Sequence, residues 1–142
     1  MKVYKFGGAS VKDAAGVRNL LDIVNGEEEL FIIVSAMGKT TNALEGVFQA
    51  MQQGDTALAL ERIDASYSYH RTIIDELMGA DITIEQMNTL FEQLRNTVRN
   101  TIYRTSDAEL WYDTIVAFGE LISTTIISNF LNGHGVKNRW VD

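Results

Sequence analysis

Residues 30–34 read LFIIV, an unbroken apolar run set between the acidic Glu27-Glu28-Glu29 and the polar stretch SAMGKTTN. A short continuous apolar run between turn signals is the pattern of a strand buried on both faces, and such strands belong to parallel sheets covered by helices. A partner strand precedes it. Residues 2–6, KVYKF, place Val3, Tyr4 and Phe6 in a segment that favours extended backbone, and Gly7-Gly8 ends it. Between the two strands Ser10 is placed to cap a helix, Leu20, Leu21, Ile23 and Val24 form its buried side, and Asn25-Gly26 closes it. Strand, helix and second strand make a βαβ unit, so the chain is read as α/β with a parallel-type sheet.

The remainder is helix-rich. The sequence contains no proline, so long helices meet few hard breaks. From Thr41 the apolar period becomes helical, with Leu44, Val47, Phe48 and Met51 on one side. A long helix is expected from Asp55 through Leu77, stopping at Gly79. Another is expected over 83–105, with Met87, Leu90, Phe91, Leu94 and Val98 on one stripe. Asp107 opens a last helical region that passes Trp111, Ile115 and Phe118 and ends near Gly133. Gly119 lies inside it, where glycine costs roughly 1 kcal/mol relative to alanine, so a kink or a close approach is expected there. Residues 136–141 have the look of a third strand. A sheet that small under so many helices is a thin core, and in open α/β sheets ligands bind beyond the carboxyl ends of the strands. The chain is therefore read as the first part of a larger α/β domain. A complete small helical domain with a minor sheet is the alternative.

Composition limits the function classes. The chain has 142 residues, 46 % of them hydrophobic, enough for a core. Its net charge of −7 argues against a general nucleic-acid binder, which needs a basic face to neutralise phosphates. One small phosphorylated ligand needs only a few donors, and Lys2, Lys5, Lys12 and Lys39 are available. Zero cysteines leave no disulfide framework and no thiolate metal site. No unbroken apolar run is long enough to span a membrane, and MKVYKFGGAS does not read as a signal peptide. A cytoplasmic protein is expected.

Gly38-Lys39-Thr40 invites comparison with a P-loop, but the motif G-x-x-x-x-G-K-[ST] requires glycine at position 33, which is Ile. The stretch still leads from a buried strand into a helix, whose free N–H groups favour anions. Thr40, Thr41 and Asn42 either cap that helix or contact a ligand. The first strand repeats the arrangement: Lys5 near its end, Gly7-Gly8 permitting close backbone approach, Ser10 starting a helix. Both loops fall on one edge of the sheet and together can form a single anion site. A third feature is FGELIST, residues 118–124. Glu120 stands in an apolar helical region beside Gly119, where it either meets an ammonium group or lies on the polar face.

KFGGAS (5–10), VSAMGKTTN (34–42) and FGELIST (118–124) together resemble the N-terminal part of the aspartokinases, members of the amino-acid kinase family, and NRWVD (138–142) is similar to the next strand of that family. The resemblance covers the whole chain in order and spacing. Ala9 stands where the family usually has Thr, which weakens a hydroxyl role there. The resemblance implies a three-layer αβα fold, here helix-rich and truncated. It implies transfer of the ATP γ-phosphoryl group to the β-carboxylate of L-aspartate, the first step towards lysine, threonine and methionine. Lys5 is then the catalytic cation, Gly7, Gly8 and Ser10 bind ATP phosphates with it, and Ser35, Thr41 and Glu120 bind substrate, Glu120 facing the α-ammonium group. ATP and Mg²⁺ are implied, the Mg²⁺ held mainly through phosphates and water rather than by a protein ligand set. Phosphoryl transfer asks mainly for positioning and stabilisation of spread negative charge, which fits a chain without cysteine and with two histidines, His70 and His134.

Residues 1–142 are accordingly expected to be the substrate-side part of a kinase domain. The nucleotide-base half and the regulatory ACT domains lie outside them, the isolated chain is inactive, and the full-length protein is a homo-oligomer. Two other readings stand beside this one: a different amino-acid kinase, and a non-catalytic helical interaction module built on the helices of 41–106.

Overall fold

The computed structural model describes residues 1–141. The chain begins with strand β1 (Lys2–Phe6), turns through a 3-10 segment at Gly8–Val11 and enters helix α1 (Ala14–Val24). Strand β2 (Leu30–Val34) follows, then helices α2 (Thr40–Gln52), α3 (Thr56–Met78), α4 (Glu85–Asn100) and α5 (Ala108–Gly133). The two strands pair in parallel with Lys2 opposite Leu30 and Phe6 opposite Val34, the βαβ unit expected.

Local chemistry sets most boundaries. The cap of α1 is Asp13, not Ser10: its carboxylate accepts from the Gly16 amide at 2.8 Å. Ser10 is instead part of the 3-10 turn, its amide bonded to the Gly7 carbonyl. A side chain at position 16 would put its Cβ 2.3 Å from the Ser10 carbonyl oxygen, so the turn and the helix close on each other only over glycine. Asp55 caps α3 through the Leu58 amide, and Gly79, with φ of 97°, ends it. Helix α4 stops at Asn100, short of the 105 expected, and a 3-10 turn at Thr105–Asp107 leads into α5.

Helix α2 packs on α3 and α5, and α4 packs on the same two. The core runs through Leu20, Met37, Leu44, Ile63, Ile74, Phe91, Ile115, Ile122 and Ile126, each with at most 2 % of its surface exposed. Helix α5 is long and apolar enough by composition to cross a membrane, yet more than half of its most apolar stretch is buried inside this fold. It is the central core helix.

Two readings of the sheet need correction. LFIIV is covered on one face only. Leu30, Ile32 and Val34 turn to the core, while Phe31 and Ile33 are 47 % and 42 % exposed beside Val3 and Lys5 of β1. The described residues supply helices to one face of the sheet, so the apolar residues of the other face remain open. The α/β class, the parallel sheet and the excess of helix agree with part of an αβα architecture. Residues 136–141 form no strand. The Val136 amide bonds to the Leu131 carbonyl, Asn138 bonds to Ser128 and Asn132, and the Trp140 indole donates to Thr124 Oγ1 at 2.8 Å, so the segment is tied along α5. A groove of about 680 Å³ separates it from β2, leaving no adjacent edge to pair with. Asp142, which the resemblance places in this element, lies outside the described residues.

Candidate active site

Both strands end at the same edge of the sheet. There the chain is joined rung by rung: the Ser35 amide donates to the Phe6 carbonyl at 2.9 Å, and the Gly38 amide donates to the Gly8 carbonyl at 3.0 Å. The two glycine loops thus form one rim, as their positions after parallel strands require. A Cβ on Gly8 would lie 2.8 Å from the Gly38 oxygen and 2.9 Å from that of Ala36, so the rim closes only because residue 8 has no side chain. Gly7 is different. No atom stands within 4 Å of its would-be Cβ, and its backbone opens to solvent. Lys5 is exposed at the end of β1, on the open face of the sheet.

The third feature joins at the same place. Helix α5 runs unbroken through Gly119, so no kink forms. The close approach does: a Cβ there would stand 2.9 Å from that of Ala36 and 3.3 Å from Leu44 Cδ1. Ser123, one turn on and fully buried, donates from Oγ to the Ser35 carbonyl at 2.8 Å. Glycine contact and hydroxyl bond fix α5 against the end of β2, and the exposed Glu120, next to Gly119, lines the groove beside that strand.

Thr41 and Asn42 occupy the first turn of α2 and are exposed. Neither caps the helix; the residue before it, Lys39, makes no side-chain cap either. Thr40 is buried, donating from Oγ1 to the Met37 carbonyl at 2.6 Å. The Thr40 amide, at the start of that first turn, donates to the Met37 carbonyl at 3.0 Å. Of the residues singled out, Lys5, Gly7, Gly8 and Ser35 lie at the strand ends, with Ser10 in the turn behind Gly7; Thr41 opens α2 beyond them, and Glu120 lines the groove along β2, which none of the others lines. Every one except Gly8 is exposed, so the described residues form a shallow wall rather than a closed pocket.

Three neighbours were not legible in the sequence. Ser123 belongs to the FGELIST motif, and its spacing of one helical turn from Glu120 was the available signal. Tyr69 and His70 of α3 lie under the Gly38 loop and have no motif to mark them. His70 is fully buried; Nδ1 lies 2.7 Å from the Ser66 carbonyl and Nε2 faces Thr40 Oγ1 at 3.5 Å. Burial holds its pKa below the ordinary histidine value, against the opposing effect of the Ser66 bond, so the ring is neutral at neutral pH.

The family model described as the amino acid kinase family matches residues 1–142. The chain belongs to this family. Among its relatives, aspartokinase 1, chloroplastic, of Arabidopsis thaliana is 33 % identical over 149 residues, covering 99 % of this chain and 25 % of the relative. The lysine-sensitive aspartokinase 3 of Escherichia coli is 28 % identical over 141 residues, covering 99 % of this chain and 30 % of the relative. The crystal structure of E. coli aspartokinase III in complex with aspartate and ADP superimposes with a TM-score of 0.81 at 26 % identity, over 99 % of this chain and 31 % of that one. The chain spans a quarter to a third of these amino acid kinases. Its small parallel sheet and helical bundle follow the aspartokinase fold.

Proposed function

We propose that this chain is the substrate-side part of an aspartate kinase, which transfers the γ-phosphoryl group of ATP to the β-carboxylate of L-aspartate. The observation that carries the reading is the junction at the end of β2. There Gly119 on Ala36 and Ser123 on Ser35 bring Glu120 to the same edge as Lys5 and the two glycine loops. Kinship supports it: the relatives compared are aspartokinases, and one of the similar structures is a complex with aspartate and ADP.

In this reading the substrate carboxylate is the nucleophile, so the protein needs no nucleophilic side chain. Lys5 neutralises charge on the transferred phosphoryl group. The amides of Gly7 and Gly8 and the Ser10 hydroxyl face the phosphates, and the open space at Gly7 admits a phosphate oxygen. Ser35 and Thr41 hold aspartate, and the Glu120 carboxylate faces its α-ammonium group. An acylated amine would leave that carboxylate unpaired, which favours aspartate over N-acylated acids. Among the described residues no cluster of acidic and histidine side chains could hold a metal by itself. Mg²⁺ would be carried by the ATP phosphates and water, where it would neutralise phosphate charge.

The nucleotide-base half and the regulatory ACT domains are assigned to sequence outside these residues. The isolated chain, with its shallow wall, is inactive, and the full-length protein is a cytoplasmic homo-oligomer. The test is hydroxylamine trapping of acyl phosphate by the full-length protein with ATP, Mg²⁺ and a panel of amino acids. Signal with L-aspartate alone is expected. Signal with glutamate or another acid instead would move the protein to a different branch of the family.

A further inference from the structure

Tyr69 stands at the middle of α3, 36 % exposed, with its ring against the His70 ring edge-to-face at 5.1 Å between centroids. Its hydroxyl donates to the Lys12 carbonyl, at the end of the turn that follows Gly7-Gly8. The same hydroxyl lies under Gly38. A Cβ on Gly38 would be 2.5 Å from the Tyr69 oxygen and 3.5 Å from Lys12 Cβ. Gly38 in turn has φ of 55°, the left-handed region, and donates its amide to the Gly8 carbonyl at 3.0 Å. Tyr69 thus meets both Lys12 and Gly38, and Gly38 is bonded in turn to Gly8. One side-chain hydroxyl from a helix remote in sequence touches both loops that rim the site.

We infer that Tyr69 is a positioning residue for phosphoryl transfer: through its hydroxyl it fixes the Gly7-Gly8 loop and the Gly38 loop relative to each other. This inference rests on the kinase reading above. The physical reason is geometric. Beyond the Ser35–Phe6 bond at the strand ends, the Gly38–Gly8 hydrogen bond is the backbone bond that joins the two loops, at a half-buried edge where water competes for it. A backbone site for spread phosphate charge works only when its amides are held before the ligand arrives. Tyr69 supplies that constraint from beneath, without touching substrate. Burial and the Asp13 carboxylate hold the phenol above its ordinary pKa, so the hydroxyl remains a donor.

The inference also separates two functions of the wall. The phosphate loops depend on Tyr69, whereas Glu120 depends on the Gly119 and Ser123 contacts of α5, which Tyr69 does not reach.

The test uses Tyr69→Phe in the full-length protein, which removes one oxygen and keeps the ring. Faster amide exchange at Gly38 is expected, with kcat lowered about tenfold and the aspartate KM changed less than about twofold. A role in folding alone would lower Tm and leave kcat per folded molecule unchanged. Gly38→Ala completes a cycle: because its new methyl meets the Tyr69 oxygen, its effect on kcat is smaller in the Tyr69→Phe background. A folded Tyr69→Phe with wild-type kcat, or with unaltered exchange at Gly38, overturns the inference. So does additivity of the two variants. If the wild-type protein makes no aspartyl phosphate, the kinase reading fails separately, and titration with ADP decides the positioning role. Weaker ADP binding by Tyr69→Phe retains it, and equal binding or none overturns it.

Discussion

Ser123 donates its hydroxyl to the Ser35 carbonyl at 2.8 Å, across 88 positions of sequence. The bond joins the central core helix to the residue that follows β2, the strand that ends at the candidate site. Both partners gain from it. The hydroxyl is fully buried, and the Ser35 carbonyl lies where the ladder to β1 has ended. Ser123→Ala is expected to destabilise the protein by about 1–3 kcal/mol, the range for a buried group left without its partner. In the full-length protein it should also raise the aspartate KM more than it lowers kcat, because Glu120 is one helical turn away. Chemical denaturation and steady-state kinetics read the two effects, and an unchanged KM would remove Ser123 from the placement of Glu120.

Gly119→Ala tests the neighbouring contact. The added methyl would lie 2.9 Å from the Ala36 Cβ, which cannot swing aside. Overpacking of this kind costs about 1–3 kcal/mol, while alanine recovers roughly 1 kcal/mol of helix propensity. A modest net loss of stability is expected. Ala36→Gly in the same chain should restore it, and a double variant no more stable than Gly119→Ala would show that the contact is not the cause.

Gly7 and Gly8 should separate stability from function. Gly8→Ala drives a methyl to 2.8 and 2.9 Å from two backbone oxygens, which can yield only by parting the loops. It should lower both Tm and activity. Gly7→Ala meets nothing within 4 Å and has φ of −76°, so stability should be unaltered. Activity should nevertheless fall, because the open space is where a phosphate oxygen is proposed to approach. An active Gly7→Ala enzyme would remove that assignment.

His70 gives a pH prediction. Its folded-state pKa is depressed by burial from the model-compound value of 6.5. Below that value the unfolded chain binds a proton that the folded chain resists. The stability contributed by the neutral ring is therefore complete above about pH 6.5 and is lost as pH falls below it. Thermal unfolding followed from pH 7.5 to pH 5 should show this decline, and His70→Gln should flatten it. An equal decline in the variant would assign the effect to carboxylates.

Glu120→Ala is expected to weaken aspartate binding without loss of fold, since the carboxylate is exposed and makes no ion pair with the described residues. Calorimetric titration of aspartate into the folded full-length variant measures it. Unaltered affinity would mean that another group receives the α-ammonium.

Much of this was legible in the amino-acid order, because it is decided within a few residues. The βαβ start follows from two apolar runs set apart by a helical stripe. Asp55 and Gly79 mark the ends of α3 through capping and a left-handed glycine. The three motifs and their order were enough to point to the amino acid kinase family, whose model matches residues 1–142. Contacts between distant segments were not legible. Position 119 could be flagged as costly for glycine, but only the packed fold shows that Ala36 is the neighbour that requires it. Residues 136–141 have strand propensity, yet a strand exists only where another edge lies within hydrogen-bonding reach, and here the segment is tied to α5 instead. LFIIV is apolar on both faces, and the described helices cover one. Tyr69 carries no motif because its role depends on which two loops its hydroxyl meets. Capping, periodicity and turn chemistry are local and survive in one dimension; close approach, burial and edge pairing belong to pairs of residues that only the tertiary structure brings together.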